Sequence, residues 1–204
     1  MTQILHVDSS ARGESSHSRK MSGELVAALK TAHPDATVAY RDLHGMNIPF
    51  VTETEVFAYY TAPDQRTPDQ KAAIQISDTL VDELLASDVL VFGVPMYNFS
   101  VPAAFKAYID QVFRVGRTFS PSYEGLVKGK KAFIVTARGG GGYGPGEQRE
   151  QANFEDPYLK TALGFIGITD VTFLHVNNTA SGDEIVQASL TGVRDQIKSA
   201  AASV

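Results

Sequence analysis

The most constraining feature of this 204-residue sequence is an unbroken apolar run, Val89-Leu90-Val91-Phe92-Gly93-Val94. Continuous hydrophobicity indicates a strand that is buried on both faces, as in the centre of a parallel sheet. Shorter apolar runs occupy residues 4–7, 37–40, 132–136 and 171–176. Between the runs, apolar residues recur at helical spacing. The pattern predicts an α/β fold, with a doubly wound five-stranded parallel sheet and helices on both faces.

The helical spacing predicts five connecting helices. They start near Ser18, Pro68, Pro102, Tyr158 and Val186. No internal repeat and no linker-like composition interrupts this order. Because a typical domain has about 150 residues, we predict that residues 1–204 form a single domain.

Residues 43–67 have no clear period, and they contain the aromatic group Phe57, Tyr59 and Tyr60. Aromatic side chains in an irregular segment would expose apolar surface in a monomer, which predicts a homodimer. The alternative is that these side chains are buried within their own chain.

The composition argues against several classes of function. The 18 Lys and Arg residues against 23 Asp and Glu give a net charge of −5, which disfavours binding to nucleic acid. The chain has no cysteine, so disulfides, thiolate metal sites and cysteine nucleophiles are impossible. The five histidines lack metal-ligand spacing, and no G-x-S-x-G motif marks a serine nucleophile. We therefore predict no metal site and no catalytic side chain, so that redox chemistry must come from a cofactor.

The start of the sequence lacks the basic and apolar regions of a signal peptide, and no run of 18 apolar residues occurs. These features predict a cytoplasmic protein that does not enter a membrane.

Three loops of unusual composition follow predicted strands: the first loop (residues 9–18), the second loop (95–100) and the third loop (137–146). In open parallel sheets, ligands bind outside the carboxyl ends of the strands. The first loop has five serines and leads into a helix, which predicts a phosphate site made of hydroxyl and backbone N–H groups. The alternative is that a serine only caps the helix.

The second and third loops have the composition of a site for a flat ligand. Met96, Tyr97 and Phe99 would contact an aromatic ring, and Asn98 with the loop N–H groups would bind its polar edge. The alternative is a loop that is buried by its neighbours. The glycines from 139 to 144 match G-x-G-x-x-G, but they follow a late strand, which favours close approach to a planar ligand over a dinucleotide fingerprint.

The residues of these loops resemble one family, the FMN-dependent NADH azoreductases of the flavodoxin-like quinone reductase superfamily. The resemblance lies in Asp8-Ser9-Ser10, Ser16-His17-Ser18, Pro95-Met96-Tyr97-Asn98-Phe99 and Thr136-Ala137-Arg138-Gly139-Gly140. It implies a flavodoxin-like sheet of strand order 2-1-3-4-5, and a homodimer with two FMN sites near the interface. His17 stands where glutamine is frequent in the family, and Ala137 where a hydroxyl residue is common.

The resemblance also implies which residues hold FMN, one molecule per subunit. Ser10, Ser16, His17 and Ser18 would bind the phosphate. The ribityl chain and isoalloxazine would lie against Met96, Tyr97, Asn98, Phe99, Ala137, Arg138, Gly139 and Gly140. Phe99 and Phe165 are expected to stack on the bound rings.

The implied function is an FMN-dependent NAD(P)H oxidoreductase that reduces quinones and azo compounds by ping-pong hydride transfer. NADH or NADPH would be the donor, and no protein acid or base is needed for the hydride step. The alternative is a non-catalytic FMN electron carrier or a flavin-binding regulator. Residues 43–67 and the glycine-rich loop favour the enzyme, because both have the composition of walls around a substrate pocket.

Overall fold

The computed structural model describes residues 2–204 of the chain. Five strands form one sheet: β1 (Gln3–Asp8), β2 (Thr37–Asp42), β3 (Val89–Gly93), β4 (Lys131–Ala137) and β5 (Asp170–Val176). Their order across the sheet is β2-β1-β3-β4-β5, and every neighbouring pair is parallel. The predicted fold and strand order are confirmed.

Helices make the connections between the parallel strands, as right-handed crossovers require. In the described part of the chain they are α1 (His17–Ala32), α2 (Leu43–Met46), α3 (Glu53–Tyr60), α4 (Pro68–Ala73), α5 (Gln75–Ala86), α6 (Ala103–Val112), α7 (Glu155–Phe165) and α8 (Asp183–Ala201).

Each face of the sheet has its own hydrophobic core. On one face α1 packs against α8, and Leu25 of α1 shares a buried cluster with Leu190 of α8. On the other face the buried residues of α5, α6 and α7 form a second cluster. Along β3, Val91 belongs to the first cluster and Phe92 to the second. Burial of neighbouring residues on opposite faces explains why this strand is apolar without interruption.

The expectation of an irregular segment at residues 43–67 is wrong in part, because α2 and α3 lie there. The helix α3 begins with a capping box. The Thr52 Oγ1 accepts from the Glu55 N–H at 3.4 Å, and the Glu55 carboxylate accepts from the Thr52 N–H at 2.7 Å. The pattern Thr-x-x-Glu is the sequence signal that reveals such a helix.

The helix predicted after Pro68 is two helices. A capping box of Thr67 and Gln70 starts α4, and the buried Ile74 separates α4 from α5. Apolar residues stay in phase across this junction, so their spacing alone predicts one helix.

The strand order brings the three loops together, because β1, β3 and β4 are neighbours in the sheet. The Ser9 N–H donates to the Gly93 carbonyl at 3.0 Å, and the Met96 N–H donates to the Ala137 carbonyl at 3.0 Å. Each loop is thus tied to the end of the next strand. The chain order reverses between β1 and β3, which is where open α/β sheets bind ligands.

Candidate active site

The first loop ends at the N-terminus of α1. The N-cap is Ser16, whose Oγ accepts from the Arg19 N–H at 3.4 Å and lies 3.1 Å from the Ser18 Oγ. The N–H groups of His17 and Ser18 have no acceptor within residues 2–204. Free N–H groups at a helix N-terminus favour an anion, so capping and the predicted phosphate site coexist in this loop.

Two cations, Arg12 and Lys20, lie close to this helix N-terminus, although the chain as a whole is acidic and Glu14 precedes the helix. Burial lowers the pKa of His17, and the charges of Arg12 and Lys20 lower it further. The imidazole is therefore neutral at pH 7. The cations that keep this histidine neutral would also attract an anionic group to the same place.

Ser10 connects the first loop to the second. Its Oγ lies 3.2 Å from the Tyr97 Oη, which also accepts from the Ala11 N–H at 3.2 Å. The Ser10 carbonyl accepts from the Arg19 Nε at 3.0 Å and from the Arg19 Nη2 at 2.6 Å. The structure brings together the predicted site residues Ser10 and Tyr97, and it adds Arg19 as the side chain that fixes them.

A buried polar network lies below the first loop. The Ser22 Oγ donates to the Asp8 Oδ1 at 2.8 Å and lies 3.0 Å from the His6 Nε2. A Cβ on Gly93, the β3 partner of Asp8, would lie 2.0 Å from that Oδ1, so only glycine fits there. The network fixes the end of β1, and sequence analysis missed it because its members come from three separate elements.

The second loop is a tight turn with unusual backbone angles. Tyr97 and Ser100 exchange N–H to carbonyl hydrogen bonds at 2.9 and 3.1 Å, while Asn98 and Phe99 have φ values of +49° and +73°. Asparagine tolerates such angles, but a bulky aromatic residue is strained by them. The Phe99 side chain is 52% exposed, and the N–H groups of Asn98 and Phe99 have no acceptor within residues 2–204.

The start of the third loop is held by its carbonyl groups. The carbonyls of Arg138, Gly139 and Gly140 accept from the N–H groups of residues 179, 180 and 178 at 3.0, 3.0 and 3.1 Å. In a trans peptide the N–H points opposite to the carbonyl, and the described chain has no cis bond. The N–H groups of Gly139 and Gly140 therefore point away from residues 178–180, and they have no acceptor within residues 2–204.

The Arg138 guanidinium lies beside the third loop, 5.6 Å from the ring of Tyr143, and the role that the resemblance implies for this residue stays a prediction. It is buried in an ionic cluster, where its Nε donates to the Glu155 Oε2 at 3.0 Å and its Nη2 donates to the Asp156 Oδ1. Asp156 also lies 3.0 Å from the His175 Nε2 and accepts from Asn153 at 2.9 Å. We call Arg138, Glu155, Asp156, His175 and Asn153 the Arg138 cluster.

The two carboxyl groups of the Arg138 cluster differ in acidity. Burial raises the pKa of Glu155 to about 8; the Arg138 charge opposes this rise and the Asp156 charge adds to it. Burial also acts to raise the pKa of Asp156, but hydrogen bonds from His175 and Asn153, with the Arg138 charge, lower it overall. Two adjacent carboxyls whose pKa values move apart divide the roles, one ionised and one able to carry a proton at neutral pH.

The glycine-rich stretch is not a dinucleotide fingerprint, because a short 3-10 turn at 150–152 and then α7 follow it instead of an immediate helix. Tyr143 lies between two guanidinium groups, 5.6 Å from that of Arg138 and 5.9 Å from that of Arg149. A Cβ on Gly140 would lie 2.3 Å from the Arg149 Nη1. At this position the close approach that glycine permits is made by the protein's own side chain.

Phe165 does not lie near the three loops of its own chain. It is the last residue of α7, which begins beside Arg138, and ten residues of helix span about 15 Å. Its ring stacks on Phe113 at 5.4 Å and contacts Phe119 at 5.1 Å. Beside Phe119, a cavity of about 480 Å³ is lined by Tyr59, Tyr60, Phe119 and Tyr123 among others. We call it the aromatic cavity.

The comparisons with known proteins agree with this geometry. A family model described as flavodoxin-like fold matches residues 2–200. The chain belongs to this flavodoxin-like family. Within it, the chain is 49% identical to the FMN-dependent NADH:quinone oxidoreductase 2 of Trichormus variabilis, over the whole of both chains. It is 46% identical to the FMN-dependent NAD(P)H:quinone oxidoreductase 1 of Pseudomonas aeruginosa, covering 89% of this chain and 90% of that one.

A solved structure gives the same placement within the flavodoxin-like family. The azoreductase from Bacillus anthracis superimposes with a TM-score of 0.84 at 28% identity, covering 98% of this chain and all of that one. The resemblance found in the three loops is therefore confirmed at the level of the family. In residues 2–204, no helix is both long and apolar enough to cross a membrane.

Proposed function

We propose that this chain is an FMN-dependent oxidoreductase that transfers hydride from NADH or NADPH to quinones and azo compounds. The observation that carries the proposal is a set of backbone N–H groups without acceptors at one edge of the sheet. They belong to His17, Ser18, Asn98, Phe99, Gly139 and Gly140. Two come from each loop, and they suit a ligand with a phosphate at one end and carbonyl acceptors at the other, as FMN has.

The names of the relatives support the same reading. Two relatives of near 50% identity are FMN-dependent quinone oxidoreductases by name, one for NADH and one for NAD(P)H. The structural neighbour at 28% identity is named an azoreductase. Because the match spans whole chains, it includes the three loops and the elements that hold them.

The residues of this chain bind and orient rather than react. Bound FMN would supply the hydride chemistry, with donor and acceptor visiting the same site in turn. The α1 N-terminus, with Ser16 and Ser18, would hold the phosphate. The turn at Asn98 and Phe99 and the glycine N–H groups would fix the ring system, while Met96 and Tyr97 would pack beside it. Orientation of this kind needs no acid or base from the protein for hydride transfer.

The competing function is an FMN electron carrier or a flavin-binding regulator without turnover. The names of the relatives favour the enzyme, because each describes an oxidoreductase or a reductase. The aromatic cavity has apolar walls that suit a flat acceptor such as a quinone. It would serve the FMN site of a partner chain in a homodimer, since it lies away from the loops of its own chain.

The test is a visible spectrum followed by turnover. The purified protein, reconstituted with FMN, is expected to bind flavin and to oxidise NADH steadily when a quinone or an azo dye is present. Bound FMN without NADH oxidation would overturn the enzyme in favour of the carrier. Failure to bind FMN at all would overturn both. We place the enzyme in the cytoplasm, where NADH and NADPH are available to it.

We further propose that the chain forms a homodimer with the two FMN sites near the interface. The support is the orientation of α3. The polar side of this helix faces inward, since the buried Glu55 accepts from the Gln111 Nε2 at 3.1 Å and Tyr59 donates to Gln111 at 3.2 Å. Its apolar side faces outward, with Phe57 60% and Tyr60 73% exposed. Tyr59 is thus hydrogen-bonded within its own chain, whereas Phe57 and Tyr60 expose apolar surface that a partner chain would bury.

Light scattering checks this assembly. We expect twice the chain mass of 22.0 kDa at micromolar concentration, and a single chain mass for the double variant Phe57→Glu, Tyr60→Glu. The matched control is Ile185→Glu, which changes an exposed apolar residue on α8 and should leave the dimer intact. A wild-type mass near 22.0 kDa would reject the homodimer.

A further inference from the structure

A buried pair of ionisable groups lies directly behind the third loop. The Arg138 guanidinium and the Glu155 carboxyl are both almost fully buried, and neither faces the open edge of the sheet. Charged groups are costly to bury, even as pairs. A pair kept at this position therefore calls for an explanation beyond packing.

The backbone around Arg138 supplies that explanation. The Arg138 N–H donates to the Val176 carbonyl at 2.9 Å, and its own carbonyl accepts from the N–H and the Oγ1 of Thr179 at 3.0 and 3.1 Å. With the side chain clamped by Glu155 and Asp156, this residue is fixed at every polar group except Nη1. The peptide planes that follow it are fixed as well, and they carry the free N–H groups of Gly139 and Gly140.

We propose that Arg138 and Glu155 act as a positioning pair that presents the Gly139 and Gly140 N–H groups to the flavin, and that the charge on Glu155 sets how well this edge stabilises the reduced ring. The proposal rests on the proposed function, because it assumes that FMN binds at the three loops. Neither residue is assigned contact with the flavin or with the substrate.

The electrostatic part follows from a count of charges. With Glu155 protonated, Arg138 and Asp156 cancel. With Glu155 ionised, the Arg138 cluster carries one more negative charge than with Glu155 protonated. Two-electron reduction with uptake of one proton leaves a negative charge on the isoalloxazine ring, so an ionised Glu155 opposes reduction. The groups that act directly on Glu155 are Arg138, at the start of the third loop, which donates to it, and Asp156, its neighbour in α7. Behind these two lie His175, against Asp156, and the ring of Tyr143, against Arg138.

The pH range of this effect comes from the raised pKa of Glu155, which is about 8. At pH 6.5 the wild-type carboxyl carries its proton, and Glu155→Gln imitates that form. At pH 9.5 the wild-type carboxyl is ionised, whereas the amide of the variant stays neutral. The reduction potentials of the two proteins should therefore coincide at pH 6.5 and separate at pH 9.5, with the variant higher.

The experiment measures the midpoint potential of the FMN-loaded protein from pH 6.5 to 9.5. Couplings between sites typically amount to five- to 150-fold, so we expect about a tenfold change in the preference for reduced over oxidised flavin. For a two-electron couple that is about 30 mV. The control is Glu24→Gln, which breaks the Arg194–Glu24 pair between α8 and α1 and should follow wild type throughout.

A second variant tests the positioning part. Arg138→Lys keeps the charge but loses the two-armed contact with both carboxylates, so it should weaken FMN binding about tenfold while the apoprotein stays folded. Equal FMN affinity in Arg138→Lys, or equal potentials of wild type and Glu155→Gln at every pH, would overturn the corresponding part of the proposal. Should Glu155→Gln fail to fold, the plot of the wild-type midpoint potential against pH must still change its slope near pH 8. A plot that stays straight from pH 6.5 to 9.5 overturns the electrostatic part. If wild type binds no FMN, it is the proposed function that fails.

Discussion

The two ends of the candidate site are built in different ways. At the phosphate end, residues 16–19 supply the cap, the hydroxyls and the free N–H groups from one continuous stretch of chain. At the ring end, the free N–H groups belong to a strained turn and to a glycine pair. The Phe154 N–H donates to the Phe99 carbonyl of the turn, and the N–H groups of residues 178 and 180 donate to the carbonyls of the glycine pair. The first end is local and stable by ordinary helix chemistry. The second depends on groups that never face the ligand.

This difference implies that mutations at the two ends should separate stability from affinity. At the phosphate end, the Ser16 hydroxyl caps the helix and is also placed to bind, so its loss should lower stability and affinity together. At the ring end, the supporting residues carry the stability and the loop carries the binding. The following variants test this division, in order of decreasing effect.

Arg138→Met should cause the largest loss. It leaves the ionised Asp156 without its buried counter-charge and Glu155 without its hydrogen-bond donor, and breaking such a pair from one side costs about 3–5 kcal/mol. For a chain of this size, the apoprotein Tm should fall by more than about 6 °C. The matched control is Arg194→Met, whose partner Glu24 is partly exposed, so its cost should stay below about 1 kcal/mol. Equal Tm changes in the two variants would contradict a special role for the Arg138 cluster.

Ser18→Ala should act mainly on affinity. A hydrogen bond to a charged group contributes about 1.5–3 kcal/mol, so FMN binding should weaken about 10- to 150-fold by flavin fluorescence. Ser16→Ala should weaken it as well and also lower the apoprotein Tm, because Ser16 is the N-cap and caps contribute about 1 kcal/mol. Ser120→Ala, in an exposed hydroxyl pair with Ser122, is the control. Unchanged FMN affinity in both loop variants would place the phosphate elsewhere.

Phe99→Gly should stabilise the apoprotein. It removes about 1–3 kcal/mol of strain at a φ of +73°. The greater conformational freedom of glycine stabilises the unfolded chain by about 0.4–1 kcal/mol, which offsets part of this gain in folding free energy. The Tm should rise by a few degrees while FMN affinity falls. Asn98→Gly is the matched control, with little change in Tm expected since asparagine tolerates its angle. A lower Tm for Phe99→Gly would mean that side-chain contacts, and not backbone angles, hold this turn.

His17→Gln should have the smallest effect. The lowered pKa of His17 makes it neutral at pH 7.5, so glutamine replaces one neutral hydrogen-bonding group by another and affinity should change less than about tenfold. Below pH 6.5 wild type can gain a proton beside the phosphate, and the variant cannot. The ratio of wild-type to variant affinity should therefore rise as the pH falls from 7.5 to 5.5. A constant ratio would remove His17 from the phosphate site.

The contrast between the two ends also explains what the sequence could reveal. Strand order, family and the three loops were predictable because apolar runs and loop composition are local signals. The clustering of serines before α1 is a local signal of the same kind, and the phosphate site that it indicates stays a prediction. The contacts of Arg138 were not predictable, because its partners Glu155 and Asp156 lie 17 and 18 residues further on, in α7. The helix α3 was not predicted, because its buried side is polar and its exposed side is apolar, which is the reverse of the usual pattern of amphipathic helices.

The use of backbone N–H groups at the edge of the sheet has a consequence for the evolution of this chain. Every residue except proline has such a group, so the side chains that carry these donors can drift without loss of the hydrogen bonds they offer. At Gly139 a Cβ would meet only the Ala180 Cβ, at 3.7 Å, so even this position has room for alanine. Selection at this edge should thus fall on the anchoring residues behind it and on backbone angles, and a saturation library should tolerate alanine at Gly139, favour asparagine and glycine at residue 98, where φ is +49°, and reject proline at both.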